Sequence, residues 1–227
     1  MRRALPRLAH VLFPARMHKN SSSANPPPAP VRGCDADGTK YKTAEELWQQ
    51  ERCKGLEQNW YGTAISYWST VPATVDGVLG GYGLVSPMDL AESASFLDAL
   101  ASHGCSTSPG NPASCAVDCG AGVGRVTAGL LMQRFGRVDV VEPVQHFLQQ
   151  ARADLGARGH RGELHQVGLE AFDAPANTYD CIWVQWCIGH LVDDDMVAFL
   201  QVLKCFSPAQ QPCRQLFDSI CSAAEAC

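Results

Sequence analysis

The apolar positions Trp60, Ala64, Tyr67, Trp68 and Val71 recur at helical intervals, and Pro72 closes the run because its ring cannot continue a helix. The pattern predicts a helix whose aromatic face packs under a neighbouring element. An earlier helix is expected to start at Thr43, where Thr43-x-x-Glu46 precedes Leu47 and Trp48. In such a capping box the hydroxyl and the carboxylate each satisfy a backbone N–H left open by the first turn. The segment Asp76-Gly77-Val78-Leu79-Gly80-Gly81-Tyr82-Gly83 holds too much glycine for a helix interior and is too apolar for a spacer, which predicts an ordered loop. A further helix is expected over residues 87–102, and the Gly/Pro/Ser-rich stretch 104–113 reads as a connection.

From residue 115 onward the pattern alternates. Short apolar runs at 115–118, 138–141, 163–167 and 179–184 have the character of buried strands, while 126–135, 144–155 and 194–204 carry helical periodicity. Strand and helix in alternation predict an α/β fold with a doubly wound, parallel, Rossmann-like sheet, helices on both faces and a helical N-terminal extension. Ligands of such sheets sit at the C-terminal ends of the strands.

Composition adds boundaries. A chain of 227 residues is long enough for one sizeable core and too short for two large domains. The net charge of -5 leaves no basic footprint, so no nucleic acid is expected as a partner. No apolar run approaches the roughly 18 residues of a membrane span, so no membrane is expected either. The eleven cysteines show no Cys-x-x-Cys spacing, which predicts reduced thiols and no metal site. Residues 1–34 hold Arg2, Arg3, Arg7, Arg16, Lys19 and Arg32 and no acidic residue, and 1–42 is expected to be a disordered, basic, Pro/Ser-rich segment. That start fits an organelle transit peptide and fits a flexible tail without an address equally well.

The densest chemistry is Asp118-Cys119-Gly120-Ala121-Gly122-Val123-Gly124-Arg125, between the first strand and its helix. Glycines in that turn let the backbone approach a ligand, and the helix N-terminus beyond offers unpaired N–H groups. At the end of the second strand Glu142 can accept hydrogen bonds from both ribose hydroxyls of a nucleoside. The spacing Gly120, Gly122, Gly124 differs from the G-x-G-x-x-G dinucleotide fingerprint, and Arg125 can pair with the carboxylate of an amino-acid moiety, which a nicotinamide dinucleotide lacks. A methyl donor of nucleoside and amino-acid parts fits both details.

With these residues placed, the chain resembles the α-N-terminal protein methyltransferases, which methylate the α-amino group of proteins beginning X-Pro-Lys. The blocks that carry the resemblance are Tyr67-Trp68, then Pro72-x-Thr74-Val75-Asp76-Gly77-x-Leu79-Gly80-Gly81-Tyr82-Gly83 and Asp118-Cys119-Gly120-Ala121-Gly122-x-Gly124-Arg125. The last is Tyr179-Asp180-x-Ile182-Trp183-x-Gln185-Trp186-x-Ile188-Gly189-His190-Leu191, and the likeness runs from about Trp60 to Lys204. It implies a class I methyltransferase domain over residues 43–204 that uses S-adenosyl-L-methionine, acts on protein or peptide N-termini, and resides in cytoplasm and nucleus. Carried across by position, the cofactor contacts fall on Gly120, Gly122, Arg125, Glu142, Pro143, Val144, Leu169, Glu170 and Gln185. The substrate side falls on Trp68, Leu79 and Trp186, with His190 as the catalytic candidate that helps to remove the amine proton. The chemistry suits these residue types: aromatic walls strip water and attract the cationic amine, and an imidazole titrates near neutrality.

After Lys204 the likeness stops. The family continues into a fifth strand with an Asn or Asp and later acidic residues at the amine, whereas residues 205–227 form a divergent tail with Asp218 as its one Asp or Asn. A short helix with Leu216, Phe217, Ile220 and Ala224 is expected there, the sheet is expected to be incomplete after its fourth strand, and this chain is expected to show little or no turnover. Two other functions remain open at this point: a catalytically dead protein that keeps a cofactor or a partner surface, and a small-molecule methyltransferase.

Overall fold

The computed structural model describes residues 33–34, 38–102 and 111–206, and the chain divides into two compact units, residues 1–46 and 47–227. In the first, β1 (Gly33–Cys34) pairs antiparallel with β2 (Lys40–Tyr41), so the end of the segment expected to be disordered carries a short ladder. Helix α1 (Ala44–Lys54) starts with one half of the predicted capping box, the Glu46 N–H donating to Thr43 Oγ1 at 3.1 Å, while the Glu46 carboxylate reaches one residue further back and accepts from the Lys42 N–H at 2.7 Å.

The second unit begins at Leu47 within α1, and after it a π-helical turn (Glu57–Tyr61) runs into α2 (Gly62–Ser69). Next comes α3 (Val75–Val78), one turn of helix inside the segment expected to be a loop. Thr74 caps it, its Oγ1 accepting from the Gly77 N–H at 3.0 Å. Gly77 is tolerated there because of a close approach: a Cβ on it would lie 2.2 Å from the Pro72 carbonyl oxygen. Helix α4 (Ser86–Ser102) follows, close to its expected limits.

The sheet is parallel throughout, in the order β5–β4–β3–β6, from β3 (Asn111–Cys119), β4 (Phe135–Val141), β5 (Leu164–His165) and β6 (Cys181–Val184). Its crossovers are α5 (Arg125–Gly129) after β3 and α6 (Gln145–Ala157) after β4, and α7 (Asp193–Phe206) closes the described chain. Among the described residues β6 is the outermost strand on its side. β3 is central, and Ala116, Val117 and Cys119 are fully buried in it.

Three elements are shorter than their patterns predict; the strand expected over 163–167 is reduced to the two residues of β5. The helix expected over 126–135 stops at Gly129, and after Leu130 leaves helical backbone (φ -133, ψ -61) a 3-10 turn (Leu131–Gln133) follows, because Phe135 is claimed by the ladder opposite Asn111. The strand expected from 179 begins at Cys181. Tyr179 turns into the core, where its hydroxyl donates to Asp139 Oδ2 at 2.9 Å, and Asp180 brackets Cys115 with two hydrogen bonds. Asp139 is fully buried; burial pushes its carboxyl up, but Arg137, the Glu163 N–H and the Tyr179 hydroxyl together hold it below the usual range. The helix expected in the tail lies outside the described residues.

Candidate active site

The β3–α5 turn is built from left-handed backbone. Gly120, Gly122 and Gly124 have φ of 71°, 58° and 77°, a region that costs an L-residue with a side chain roughly 1–2 kcal/mol. The space around them is as restrictive as the torsions. A Cβ on Gly120 would lie 2.5 Å from Cys187 Sγ, and one on Gly124 would lie 3.1 Å from Leu155 of α6. The close helix packing that a dinucleotide fold takes from its last glycine is thus supplied here by Gly124.

The Gly122 N–H donates to Glu142 Oε2 and the Val144 N–H to Oε1, both at 2.8 Å. Burial raises the Glu142 carboxyl above the usual range, and these two N–H groups work against that rise. A carboxylate has about four lone-pair sites, so two remain for groups in the cleft that Glu142 lines. Behind it, Asp118 is buried and pushed up to about 6 by burial, offset in part by the Thr127 hydroxyl at 2.6 Å.

On the β6 side, Trp183 Nε1 donates to Gln185 Oε1 at 2.8 Å and Gln185 Nε2 donates to Asp89 Oδ1 at 2.8 Å. Arg125 Nη1 donates to the other oxygen of Asp89 at 2.6 Å. Arg125 therefore rests on a carboxylate of the chain itself through one of its nitrogens.

The roof of the cleft comes from the helical extension. Trp68 on α2 stands edge-to-face with His190, ring centroids 6.0 Å apart, and its Nε1 donates to His190 Nε2 at 3.2 Å. Trp60 Nε1 donates to the His190 carbonyl at 2.8 Å. The Tyr61 hydroxyl donates to Asp195 at the start of α7 and accepts from the Val192 N–H at 3.3 Å. Trp186 is 71% exposed and holds φ at 63°, left-handed backbone on a bulky residue.

All the residues assigned from the sequence border one cleft at the C-terminal ends of the strands. Gly120, Gly122 and Arg125 come from the first turn, and Glu142, Pro143 and Val144 from the end of β4. Leu169 and Glu170 follow β5, and Gln185, Trp186 and His190 follow β6, with Trp68 and Leu79 above. The sequence reading missed Tyr61, Ile65, Phe147 and Cys187, which line the same cleft, and gave Asp118 no role of its own. Ile65 stands three residues before Trp68, on the same face of α2, and Cys187 directly follows Trp186, so spacing could have found both.

Residues 56–210 match the family model described as AdoMet dependent proline di-methyltransferase. The chain is 42% identical over 184 residues to alpha N-terminal protein methyltransferase 1 of Arabidopsis thaliana, 77% of this chain and 66% of that one. It is 48% identical over 149 residues to N-terminal Xaa-Pro-Lys N-methyltransferase 1-B of Xenopus laevis, 65% of this chain and 66% of the relative. The matched region thus spans just under two thirds of the length of these relatives. A solved SAM-dependent methyltransferase from Leishmania major superposes with a TM-score of 0.70 at 34% identity, over 84% of this chain and 75% of that one.

Proposed function

The chain belongs to the AdoMet dependent proline di-methyltransferase family, and on that premise we propose that it binds S-adenosylmethionine in the cleft and methylates the α-amine of proteins that begin Xaa-Pro-Lys, the substrate for which its Xenopus relative is named. The observation that carries this reading is the convergence of the glycine turn, Glu142, Gln185 and the aromatic roof on one cleft. The cofactor would supply a methyl group on a sulfonium; binding, orientation and proton handling fall to the chain.

Glu142 has two lone pairs left for the ribose hydroxyls, and the absence of side chains at Gly120 and Gly122 leaves room for the nucleoside. Pro143, Val144, Leu169 and Glu170, which line the cleft beyond Glu142, would flank the adenine, and Arg125 would face the carboxylate end. Trp68, Leu79 and Trp186 receive the substrate amine. A free α-amine has a pKa of about 7.7–8.0 and must lose its proton before its lone pair can attack. His190 is the nearby base, and its Nε2 becomes available once the Trp68 N–H lets go.

The test is mass spectrometry of an Xaa-Pro-Lys peptide incubated with the purified chain and S-adenosylmethionine, beside calorimetry of cofactor binding. Stepwise gain of methyl groups on the α-amine supports the proposal. Binding without transfer leaves a cofactor-binding protein, and the absence of both overturns the reading.

A further inference from the structure

Asp89, on the first turn of α4, does not line the cleft, yet it holds two residues that do. Its Oδ2 accepts from Arg125 Nη1 at 2.6 Å and its Oδ1 from Gln185 Nε2 at 2.8 Å. The pair is shielded from water, with the Arg125 side chain 9% and the Asp89 side chain 15% exposed. The polarity of the whole chain of bonds is fixed. An indole nitrogen only donates, so Gln185 must turn its Oε1 to Trp183 and its amino group to Asp89. Arg125 also only donates. Asp89 thus has to accept on both of its terminal atoms, which a carboxylate does and an asparagine does not: its amino group would be set against either Gln185 or Arg125.

We propose that Asp89 is a positioning residue for the amino-acid end of S-adenosylmethionine, fixing the Arg125 guanidinium and the Gln185 carboxamide in the orientation that meets that end. The proposal rests on the cofactor reading above. Its physical content is preorganisation: with both donors already held, the ligand does not have to order two flexible side chains when it binds. A second aspartate on the same helix offers an internal contrast. Asp98 pairs with Arg134 at 2.8 Å, is 67% exposed, and neither partner lines the cleft.

The experiment is calorimetry on the full chain with two probes, S-adenosylhomocysteine and 5′-methylthioadenosine, which shares the nucleoside but has no amino-acid moiety. Asp89→Asn is expected to weaken S-adenosylhomocysteine about tenfold, the usual scale of one charge-assisted hydrogen bond, and to change methylthioadenosine less than about twofold. Asp98→Asn is expected to change neither. Equal losses for both probes in Asp89→Asn, or an unchanged S-adenosylhomocysteine affinity, overturn the proposal and leave the cofactor reading standing. A wild-type chain that binds neither probe overturns both. Should Asp89→Asn fail to fold, Asp89→Glu, which keeps the charge but displaces both acceptor oxygens, is read in the same way: loss confined to the probe with the amino-acid end supports the proposal, and uniform or no loss overturns it.

Discussion

The indole N–H of Trp68 donates to Nε2 of His190 across 3.2 Å, and this one bond sets the protonation pattern of the ring. Since the indole only donates, Nε2 accepts, and the neutral imidazole carries its proton on Nδ1. Nitrogen-15 NMR of His190 at pH 8 should therefore show the Nδ1–H tautomer in the wild type. Trp68→Phe keeps the aromatic wall but frees Nε2 from a neutral hydrogen bond worth about 1 kcal/mol, so peptide kcat/KM should rise by about fivefold at most with cofactor affinity unchanged. A wild-type ring protonated on Nε2 would sink the assignment.

Glu142→Gln should weaken cofactor binding by about 1.5–3 kcal/mol, the range for a hydrogen bond to a charged acceptor. It should also lower the melting temperature, because one of the N–H groups of Gly122 and Val144 would meet an amide nitrogen. Calorimetry and thermal unfolding of the same preparation separate the two effects; equal cofactor affinity would remove Glu142 from the site.

Gly120→Ala combines a left-handed φ of 71° with a Cβ 2.5 Å from Cys187 Sγ. It should cost more than the roughly 1–2 kcal/mol of the torsion alone. Adding Cys187→Gly, which removes both the Sγ and the Cβ that would lie 2.7 Å away, should recover the steric part and leave the torsional part, a coupling that a double-mutant cycle in urea measures. Additive effects would mean that the thiol does not crowd the turn.

The backbone at Trp186 is strained for a residue with a side chain, and its indole is mostly exposed. Trp186→Gly should leave stability within about 1 kcal/mol of wild type, since torsional relief offsets the loss of packing and the glycine entropy. Peptide turnover should fall at least about tenfold if the indole orients the amine. A large loss of stability with normal peptide kinetics would make Trp186 a packing residue.

Two buried aspartates give stability opposite pH dependences. Burial pushes the Asp118 carboxyl up to about 6, above its ordinary range, so the folded state binds the extra proton between the two values. Its favourable contribution is full below the unfolded value and is lost as pH rises through about 6. Asp139 is lowered, so its contribution is present above the unfolded value and lost as pH falls. Thermal unfolding should show wild-type stability falling from pH 5 to pH 8. Asp118→Asn should flatten that fall and gain on the order of 1–3 kcal/mol at pH 8. A wild type equally stable at both values would contradict the sign.

The parts of the molecule that sequence spacing made legible are those whose physics is local. The glycine turn needs left-handed backbone at three nearby positions, and Glu142 directly follows the next strand, so both could be read from residue types and spacing alone. Asp89 could not. It lies 36 residues from Arg125 and 96 from Gln185, and only the packing of α4 beside β3 and β6 brings them together. Asp118 stood in a recognised block, but its raised carboxyl comes from burial within a strand flanked on both sides, which no single stretch of sequence contains. The early end of α5 has the same origin, since Phe135 answers to Asn111 across the sheet before it answers to helical periodicity.

Trp60, Trp68 and Tyr61 reach from the helical extension to His190, Asp195 and the Val192 N–H, so the roof is latched to the segment between β6 and α7. If each bond contributes about 1 kcal/mol, releasing the latch takes on the order of 3–4 kcal/mol, and fewer than about one molecule in a hundred stands open at any moment. A ligand that needs the roof lifted must wait for that minority. The amide hydrogens of residues 188–192 should exchange with solvent in step with those of α2, and entry to the cleft is then timed by the breathing of the extension, however quickly the ligand diffuses.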